Sequence, residues 1–418
     1  MTERDRIQRR MLRVLLVSQV LAGAGLAAGI VVGALLAEEM LGSTSGAGLP
    51  TALFTIGSAA AAVLVGRLSQ RAGRRPGLAA GYAVGALGGG GVVLAAAIDS
   101  VPLLFVSLLL YGSGVATNLQ ARYAGGDLAT PERRGRAIST VLVATTVGAV
   151  LGPNLVDATG TVAKSLGIPA LAGPFLLATV AYACAAGAVM VLLRPDPLLT
   201  ARALATEETV TVADDGPAGA PGDLRLGATA MVITQIVMVA VMTMTPIHMR
   251  DHGHGLSATG LVISIHVAAM FLPSPLTGIL VDRVGRRPVI AAGGVTLLAA
   301  GLVAATAPPE GTVLLMLALG LLGLGWNLGL VAGTTLVTDA TPLAGRAAMQ
   351  GRVDLGVALA GAAGGMGSGF VVAETSYAAL SLAGGLLALA LLPLLLTTRT
   401  PTPPPGELIP AQRGANMR

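Results

Sequence analysis

The chain has 418 residues, of which 54% are hydrophobic and only 11% are charged, and its mean hydropathy is +0.78. A soluble domain carries about a quarter charged residues, so this composition excludes a soluble protein and predicts an integral membrane protein. Glycine supplies 58 positions, and small residues of this kind let membrane helices approach closely. The net charge of +5 comes without any basic patch interleaved with aromatic residues, so no nucleic-acid partner is expected.

Twelve mostly apolar segments are long enough to cross a bilayer as helices. Helices are expected throughout, because an open sheet cannot satisfy its backbone hydrogen bonds in lipid. The apolar run that follows the charged residues 1–13 is longer than the roughly 7–15 residues of a cleavable signal, so it is predicted to be a retained first span. The twelve spans are expected at about 12–37, 46–68, 76–98, 101–123, 137–160, 171–193, 226–249, 257–281, 287–306, 311–336, 347–372 and 376–397.

The placement of basic residues predicts the orientation. Of the 26 lysines and arginines, only Lys164 and Arg250 fall in the odd-numbered loops. Cytoplasmic loops carry an excess of basic residues, so both termini are expected in the cytoplasm. The expected protein is a monomer that crosses the cell (inner) membrane several times, with the lipid bilayer as its main partner.

The longest loop divides the chain. Residues 194–225 are rich in acidic, glycine and proline residues around 214–223, which is typical of a flexible polar linker. It separates an N-terminal six-helix bundle (1–193) from a C-terminal six-helix bundle (226–398). The proline-rich tail 399–418 is expected to be a disordered cytoplasmic tail.

The two bundles repeat one another. Residues 66–75 read GRLSQRAGRR and residues 278–287 read GILVDRVGRR, with each pair of matching positions 212 residues apart. Asp127 and Asp339 open a second repeated segment at the same offset. Repeats of this kind imply two duplicated six-helix units related by a pseudo-two-fold axis, as in many secondary transporters.

At these loops the chain resembles the major facilitator superfamily, over about residues 10–398. The resemblance implies an all-α membrane fold with 12 transmembrane helices in two pseudo-symmetric bundles, and transport by alternating access. In that superfamily the loop's acidic residue and arginines latch the inner gate by pairing with neighbouring helix ends. The first loop has Gln70 where the second has an acid, which leaves its charge-based latch without the carboxylate. The implied gating residues are Gly66, Arg71, Gly73, Arg74, Gly278, Asp282, Arg283, Gly285 and Arg286.

Six of the fourteen methionines and all four histidines fall between residues 231 and 270. Met238 and Met242 on the seventh span, and His266 and Met270 on the eighth, have i, i+4 spacing, so each pair shares a helix face. At 1.5 Å per residue, all four lie near the middle of the membrane. Thioethers and imidazoles are ligands that copper(I) accepts, so the two pairs predict a soft metal site.

The paired motifs resemble those of the CcoA-type bacterial copper importers, a branch of the same superfamily. The resemblance implies copper uptake into the cytoplasm, with the four residues as transient ligands, copper as the substrate and no cofactor. Alternatives remain: methionines also fill gaps in cores, and His266 also suits a helix–helix hydrogen bond. A candidate capture loop, whose histidines are otherwise solvated, contains His248, Met249, His252 and His254.

A second function is a proton-coupled multidrug or small-molecule efflux antiporter. The segment from Gly148 to Pro153 on the fifth span resembles the glycine–proline motif of such proteins. An exporter of this kind usually needs a buried titratable carboxylate; Asp157 is the candidate, with a solvated helix end as its alternative. Arg122 is expected to line the inner half of the cavity, to pair with Asp127 or to extend towards water. No Walker loop or nucleophile–base pair is present, so neither ATP drive nor an enzyme is predicted.

Overall fold

The structure is a computed structural model that describes residues 3–41, 49–211, 221–308 and 311–397. Within these ranges the chain is helical and contains no strand. Ten helical segments in this part of the chain are long and apolar enough to cross a membrane. The two remaining predicted spans, the first and the fifth, are also helical.

Among the described residues, the N-terminal half contains seven α-helices that pack around a shared core of buried apolar side chains. In this half α1 packs against α5 and α7, and α3 packs against α4 and α7. The fifth predicted span is divided at Leu155 into two helices. The seven helices are α1 (Glu3–Leu41), α2 (Leu49–Ala72), α3 (Arg74–Ala97), α4 (Val101–Gly126), α5 (Arg134–Asn154), α6 (Val156–Ser165) and α7 (Gly173–Leu192).

The predicted linker is partly helical, so the expectation of a flexible loop is wrong for its first part. Helix α8 spans Pro197–Thr211. Asp196 caps it, because one carboxylate oxygen accepts hydrogen bonds from the backbone N–H groups of Leu198 and Leu199 at 3.0 and 3.1 Å. The helix contains alanine and leucine, which are strong helix formers. Residues 212–220 of the linker, and the predicted tail from 398 onwards, lie outside the described residues.

The C-terminal half has its own core, to which two residues of α5 also contribute. Within this half α13 packs against α9, α10 and α12, and α9 packs against α14. The eighth and twelfth predicted spans are each divided into two helices. The eight helices are α9 (Pro221–Asp251), α10 (Leu256–Phe271), α11 (Ser274–Val284), α12 (Arg286–Thr306), α13 (Thr312–Ala340), α14 (Arg346–Glu374), α15 (Tyr377–Ala388) and α16 (Leu391–Thr397).

The two halves meet mainly along two helix pairs, α2 with α14 and α5 with α11. Glycines permit this close approach. A Cβ atom on Gly66 would lie 2.8 Å from the carbonyl oxygen of Ala347 and 2.9 Å from the Cα of Gly351. A Cβ atom on Gly278 would lie 2.6 Å from the carbonyl oxygen of Gly135. The repeated glycines are therefore the points where the backbones of the two halves touch.

The repeated loops turn the chain at one end of the bundle, which we call the motif end. Gly73 joins α2 to α3 and Gly285 joins α11 to α12, with φ angles of 99° and 103°. Residues with a side chain rarely adopt these angles, whereas glycine does so without strain. The shared glycine of the two loops is thus required by the turn itself.

Candidate functional site

The acid of the second loop caps a helix of the other half. Asp282 accepts hydrogen bonds from the backbone N–H groups of Gly135 at 2.8 Å and Arg136 at 3.1 Å, in the first turn of α5. A carboxylate is stabilised there by unpaired N–H groups and by the helix dipole. Asp282 therefore ties the C-terminal half to the N-terminal half at the motif end.

Gln70 makes the equivalent contact without a charge. Its side-chain oxygen accepts hydrogen bonds from the N–H groups of Ala347 at 2.8 Å and Ala348 at 3.4 Å, in the first turn of α14. Its amide nitrogen donates to the carbonyl oxygens of Leu343 and Ala344 at 3.3 and 2.5 Å. The missing acid thus does not remove the latch, because an amide both accepts from the helix and donates to the preceding loop.

Two of the loop arginines form ion pairs that repeat with the duplication. Arg74 pairs with Asp127 at 2.7 Å and Arg286 pairs with Asp339 at 2.9 Å. Arg74 is fully buried and also donates to Gln350 across the interface at 2.5 Å. Asp127 is therefore the partner of Arg74, and the pairing of Asp127 with Arg122 that the sequence suggested is not formed.

The other two predicted gating arginines lie apart from these contacts. Arg71 and Arg283 occupy equivalent positions in the last turns of α2 and α11, and both are exposed. Among the ion pairs of the described residues, none involves either of them. Their gating role stays a prediction.

A further ion pair crosses the interface in a fully buried position. The guanidinium of Arg122 on α4 lies 2.7 Å from Oδ1 of Asp354 on α14, and the two side chains are 1% and 8% exposed. The hydroxyl of Tyr123 donates to the same oxygen at 3.1 Å. The other carboxylate oxygen, Oδ2, is buried without a hydrogen-bond partner.

The cation of this pair is well satisfied. Arg122 donates to the hydroxyl oxygen of Thr334 at 3.0 Å, to that of Tyr123 at 3.1 Å and to the carbonyl oxygen of Leu119. Its guanidinium carbon lies 4.3 Å from the centre of the Tyr123 ring, at cation–π distance. In this pair, therefore, the atom without a hydrogen-bond partner belongs to the carboxylate, as Oδ2 of Asp354.

The buried pair breaks the symmetry of the duplication. The capping contacts of Gln70 and Asp282 occur twice, and the Arg74–Asp127 pair is repeated by Arg286–Asp339. The position equivalent to Arg122 is Thr334, 212 residues further on. The position equivalent to Asp354 at the same offset is Leu142. Other ion pairs of the described residues also occur once, but Arg122–Asp354 is the one of these whose two side chains are both less than 10% exposed. Because the duplication does not account for a charge pair buried to this degree, this pair is the candidate functional site.

Sequence reasoning missed Asp354, although a signal was present. The residue lies about 12 Å along α14 from Arg346, at 1.5 Å per residue. A carboxylate at that depth of an apolar span is costly and usually functional. Asp157, the carboxylate preferred from the sequence, is exposed in the first turn of α6. Pro153 lies near the end of α5, and its side chain is outside the described part of the chain.

The structure favours the hydrogen-bonding interpretation of His266. The side chain is 0% exposed, and Nδ1 lies 2.9 Å from the carbonyl oxygen of Leu319 on α13. A carbonyl oxygen only accepts, so Nδ1 carries the proton. In the neutral ring Nε2 then bears a lone pair, and it is buried without a partner. His266 thus joins α10 to α13 and keeps one free acceptor atom.

The predicted methionine ligands belong to the apolar core of the C-terminal half. Met238 is buried, and Met242 and Met270 are partly buried against the same cluster. Met231, Met244 and Met249 are also buried there. This is the packing role that flexible thioethers commonly fill. Their role as metal ligands stays a prediction.

The histidines near the opposite end contact one another and residues of neighbouring helices. The rings of His248 and His252 are 4.3 Å apart, and His248 also stacks on Tyr377 at 4.3 Å. His254 lies 3.2 Å from the hydroxyl of Thr312. Among the described residues, no three or more His, Cys, Asp or Glu side chains are arranged to hold a metal ion. Copper uptake is therefore not supported by these contacts.

Comparison with known proteins identifies the chain's relatives. The sequence profile of the Major Facilitator Superfamily matches residues 15–247 and 226–415. An uncharacterized MFS-type transporter of Bacillus subtilis, YdeG, is 55% identical and aligns over 94% of this chain and 93% of its own. The riboflavin transporter RfnT of Brucella anthropi is 32% identical over 83% of this chain and 85% of its own. None of these descriptions names copper, so the resemblance to copper importers is not supported beyond the superfamily.

A solved structure shows the same fold. The human organic anion transporter MFSD10 superposes with a TM-score of 0.74, covering 93% of this chain and 99% of its own, at 18% sequence identity. At this identity the likeness concerns the fold alone.

Proposed function

The chain belongs to the Major Facilitator Superfamily of secondary transporters, and on that premise we propose that it couples proton movement to the transport of a small organic solute. The observation that supports the proposal is the buried pair of Arg122 and Asp354 between the halves. Alternating access requires the halves to separate at each end in turn. A charge pair that joins the halves at one end is therefore suited to control that separation.

Protonation of Asp354 supplies the coupling step. A proton added to Oδ2, the oxygen without a partner, converts the carboxylate into a neutral acid. The attraction that holds Arg122 is then lost, whereas Arg122 itself stays charged because guanidinium does not deprotonate in proteins. The closed motif end is weakened, and its opening exposes Arg122 to water or to a solute.

We also propose that the motif end faces the cytoplasm. Helix α9 begins at this end and reaches the opposite end near Arg250, one of only two basic residues that the sequence assigns to outer loops. In the described part of the chain, the basic residues other than Lys164 and Arg250 lie at the motif end or on the helices that lead to it, as the positive-inside rule requires for cytoplasmic loops.

The solute class follows from the exposed cation. Once Asp354 is neutral, Arg122 offers several N–H donors in a planar fork, which suits a carboxylate, phosphate or carbonyl group. The relative named as a riboflavin transporter makes riboflavin, a ring compound with carbonyl groups, the first probe. An organic solute with such a group is the proposed cargo.

Transport in proteoliposomes tests the proposal. Riboflavin movement should follow an imposed pH gradient in the natural protein, and Asp354→Asn should remove that dependence. Asp157→Asn is the matched control, because it makes the same chemical change at an exposed carboxylate and should leave transport unchanged. Movement that responds to membrane potential alone, and equally in both variants, would contradict proton coupling through Asp354.

Copper uptake through Met238, Met242, His266 and Met270 is the second candidate. One observation favours it: Nε2 of His266 is buried and unpartnered, one helical turn from Met270. Copper(I) accepts both ligand types. A Met238→Ala, His266→Ala double variant separates the two functions. It should leave riboflavin transport intact. A fall in cellular copper with normal expression of the variant would support copper uptake instead.

A further inference from the structure

We propose that a pocket at the motif end binds the phosphate headgroup of an anionic phospholipid. The pocket lies between the start of α1 and the segment that joins α4 to α5; it is open to the surface and has a volume of about 190 Å³. Four arginines and one aspartate, Asp5, are its charged residues. The arginines are Arg4, Arg9, Arg133 and Arg136.

The net positive charge of the pocket favours the binding of an anion. Like charges that converge on one cavity repel each other, and a bound anion relieves that repulsion. Asp5 lines the pocket and Asp282 pairs with Arg136 at 3.5 Å, so four arginines face two aspartates and an excess of positive charge remains. Guanidinium groups bind phosphate oxygens through paired N–H donors, so phosphate is the anion that best matches this donor set.

The fold holds the pocket in place. Arg4 donates from Nε to the carbonyl oxygen of Leu128 at 3.0 Å, and Gln8 donates to that of Gly125 at 2.7 Å. These bonds fasten the start of α1 to the end of α4 and the loop that follows it. The arginines therefore converge because two elements are joined, and not because a basic tail lies near a surface.

The depth of the pocket favours a lipid over free phosphate. The apolar run of α1 begins at Val14, so Arg9 lies about 7 Å beyond it at 1.5 Å per residue. The headgroup layer extends about 5–8 Å beyond the hydrocarbon core, which places Arg9 in that layer. Leu12 and Ala137 add apolar walls that suit a glycerol backbone. Basic pockets between helices at the cytoplasmic surface are known to hold anionic headgroups.

Native mass spectrometry of the detergent-solubilised full chain tests the proposal. Phosphatidylglycerol, phosphatidylcholine and inorganic phosphate are the three probes. The pocket variant is Arg9→Gln, Arg133→Gln, and its matched control is Arg6→Gln, Arg10→Gln. The four substituted arginines are all exposed, but the control pair does not line the pocket. Each variant removes two positive charges.

Phosphatidylglycerol should stay bound to the natural protein when phosphatidylcholine does not. The pocket variant should lose about tenfold or more in affinity, the effect of one charge-assisted hydrogen bond, and the control should stay within about twofold. Equal losses in the two variants would mean diffuse surface attraction and would overturn the proposal. Displacement of the lipid by an equal concentration of inorganic phosphate would assign the pocket to free phosphate instead.

A swap of two neighbouring charges distinguishes the loss of lipid binding from a loss of folding. Glu132 is exposed beside Arg133 and does not line the pocket. The variant Glu132→Arg, Arg133→Glu keeps the net charge and moves one positive charge out of the cavity. It should lose phosphatidylglycerol while its thermal unfolding without lipid stays unchanged, and full retention of the lipid would contradict the pocket assignment.

Discussion

Removing one partner of the buried pair should open the motif end, whereas removing both should have a smaller effect. In Asp354→Leu, Arg122 remains charged, 1% exposed and without its anion. Breaking a buried pair by removing one partner costs about 3–5 kcal/mol, because the remaining charge is uncompensated. Opening the interface lets water reach Arg122, so this cost falls on the closed state.

The size of the effect follows from that cost. At about 1.4 kcal/mol for each tenfold change, the closed-to-open equilibrium constant should fall by roughly two to three and a half orders of magnitude. Arg122→Leu, Asp354→Leu removes both charges and replaces them with apolar side chains. Such replacements are often nearly neutral, apart from about 1 kcal/mol for each hydroxyl that loses its partner. Tyr123 and Thr334 are the two hydroxyls concerned.

Pulsed electron spin resonance measures the opening directly and needs no substrate. Spin labels at Arg67→Cys and Arg283→Cys report the distance between the halves, because both positions are exposed at the motif end, on α2 and α11. The free cysteine, Cys184, is replaced by alanine in every variant. The long-distance population should rise in Asp354→Leu and return most of the way in the double variant.

Asp157→Leu is the control for the loss of a carboxylate from the membrane region, and its distances should match those of the natural protein. If Asp354→Leu keeps the short distance, or if the double variant opens as far as Asp354→Leu, the pair does not hold the halves together. Lowering the pH should reproduce the opening in the natural protein and have no effect in the double variant.

Three other changes test contacts at the interface and within the C-terminal half. Gly278→Val should hold the motif end open in the same spin-label measurement, because the added side chain meets the backbone of Gly135. Gly187→Val is its control: a Cβ atom there meets nothing within 4 Å, so the measured distances should not change. Gln70→Ala removes a helix cap worth about 1 kcal/mol and should shift the closed-to-open equilibrium roughly fivefold. An equilibrium equal to that of the natural protein would contradict the capping role. His266→Phe loses the hydrogen bond to the backbone carbonyl of Leu319 on α13, so it should lower the midpoint temperature of thermal unfolding. Cellular copper should stay unchanged. If both results hold, His266 is not a copper ligand.

The sequence by itself determined the class of the protein and its internal repeat. Twelve apolar segments of membrane length follow from the bilayer, which only accepts long apolar helices with satisfied backbones. The repeated loops also followed from the sequence, because the glycines at 73 and 285 are required by local φ angles. Membrane spans and glycine turns depend on one stretch of chain and on its surrounding solvent or lipid, so the sequence of that stretch is enough to predict them.

The contacts of individual side chains were decided by tertiary structure. Met238 with Met242, and His266 with Met270, have the i, i+4 spacing of ligands, but that spacing is equally suited to packing. The neighbouring helix α13 supplies the hydrogen bond that His266 uses. Arg122 and Asp354 are 232 residues apart, and no local pattern joins them. They meet because the two halves fold against one another, so only the assembled bundle reveals which buried charge has which partner.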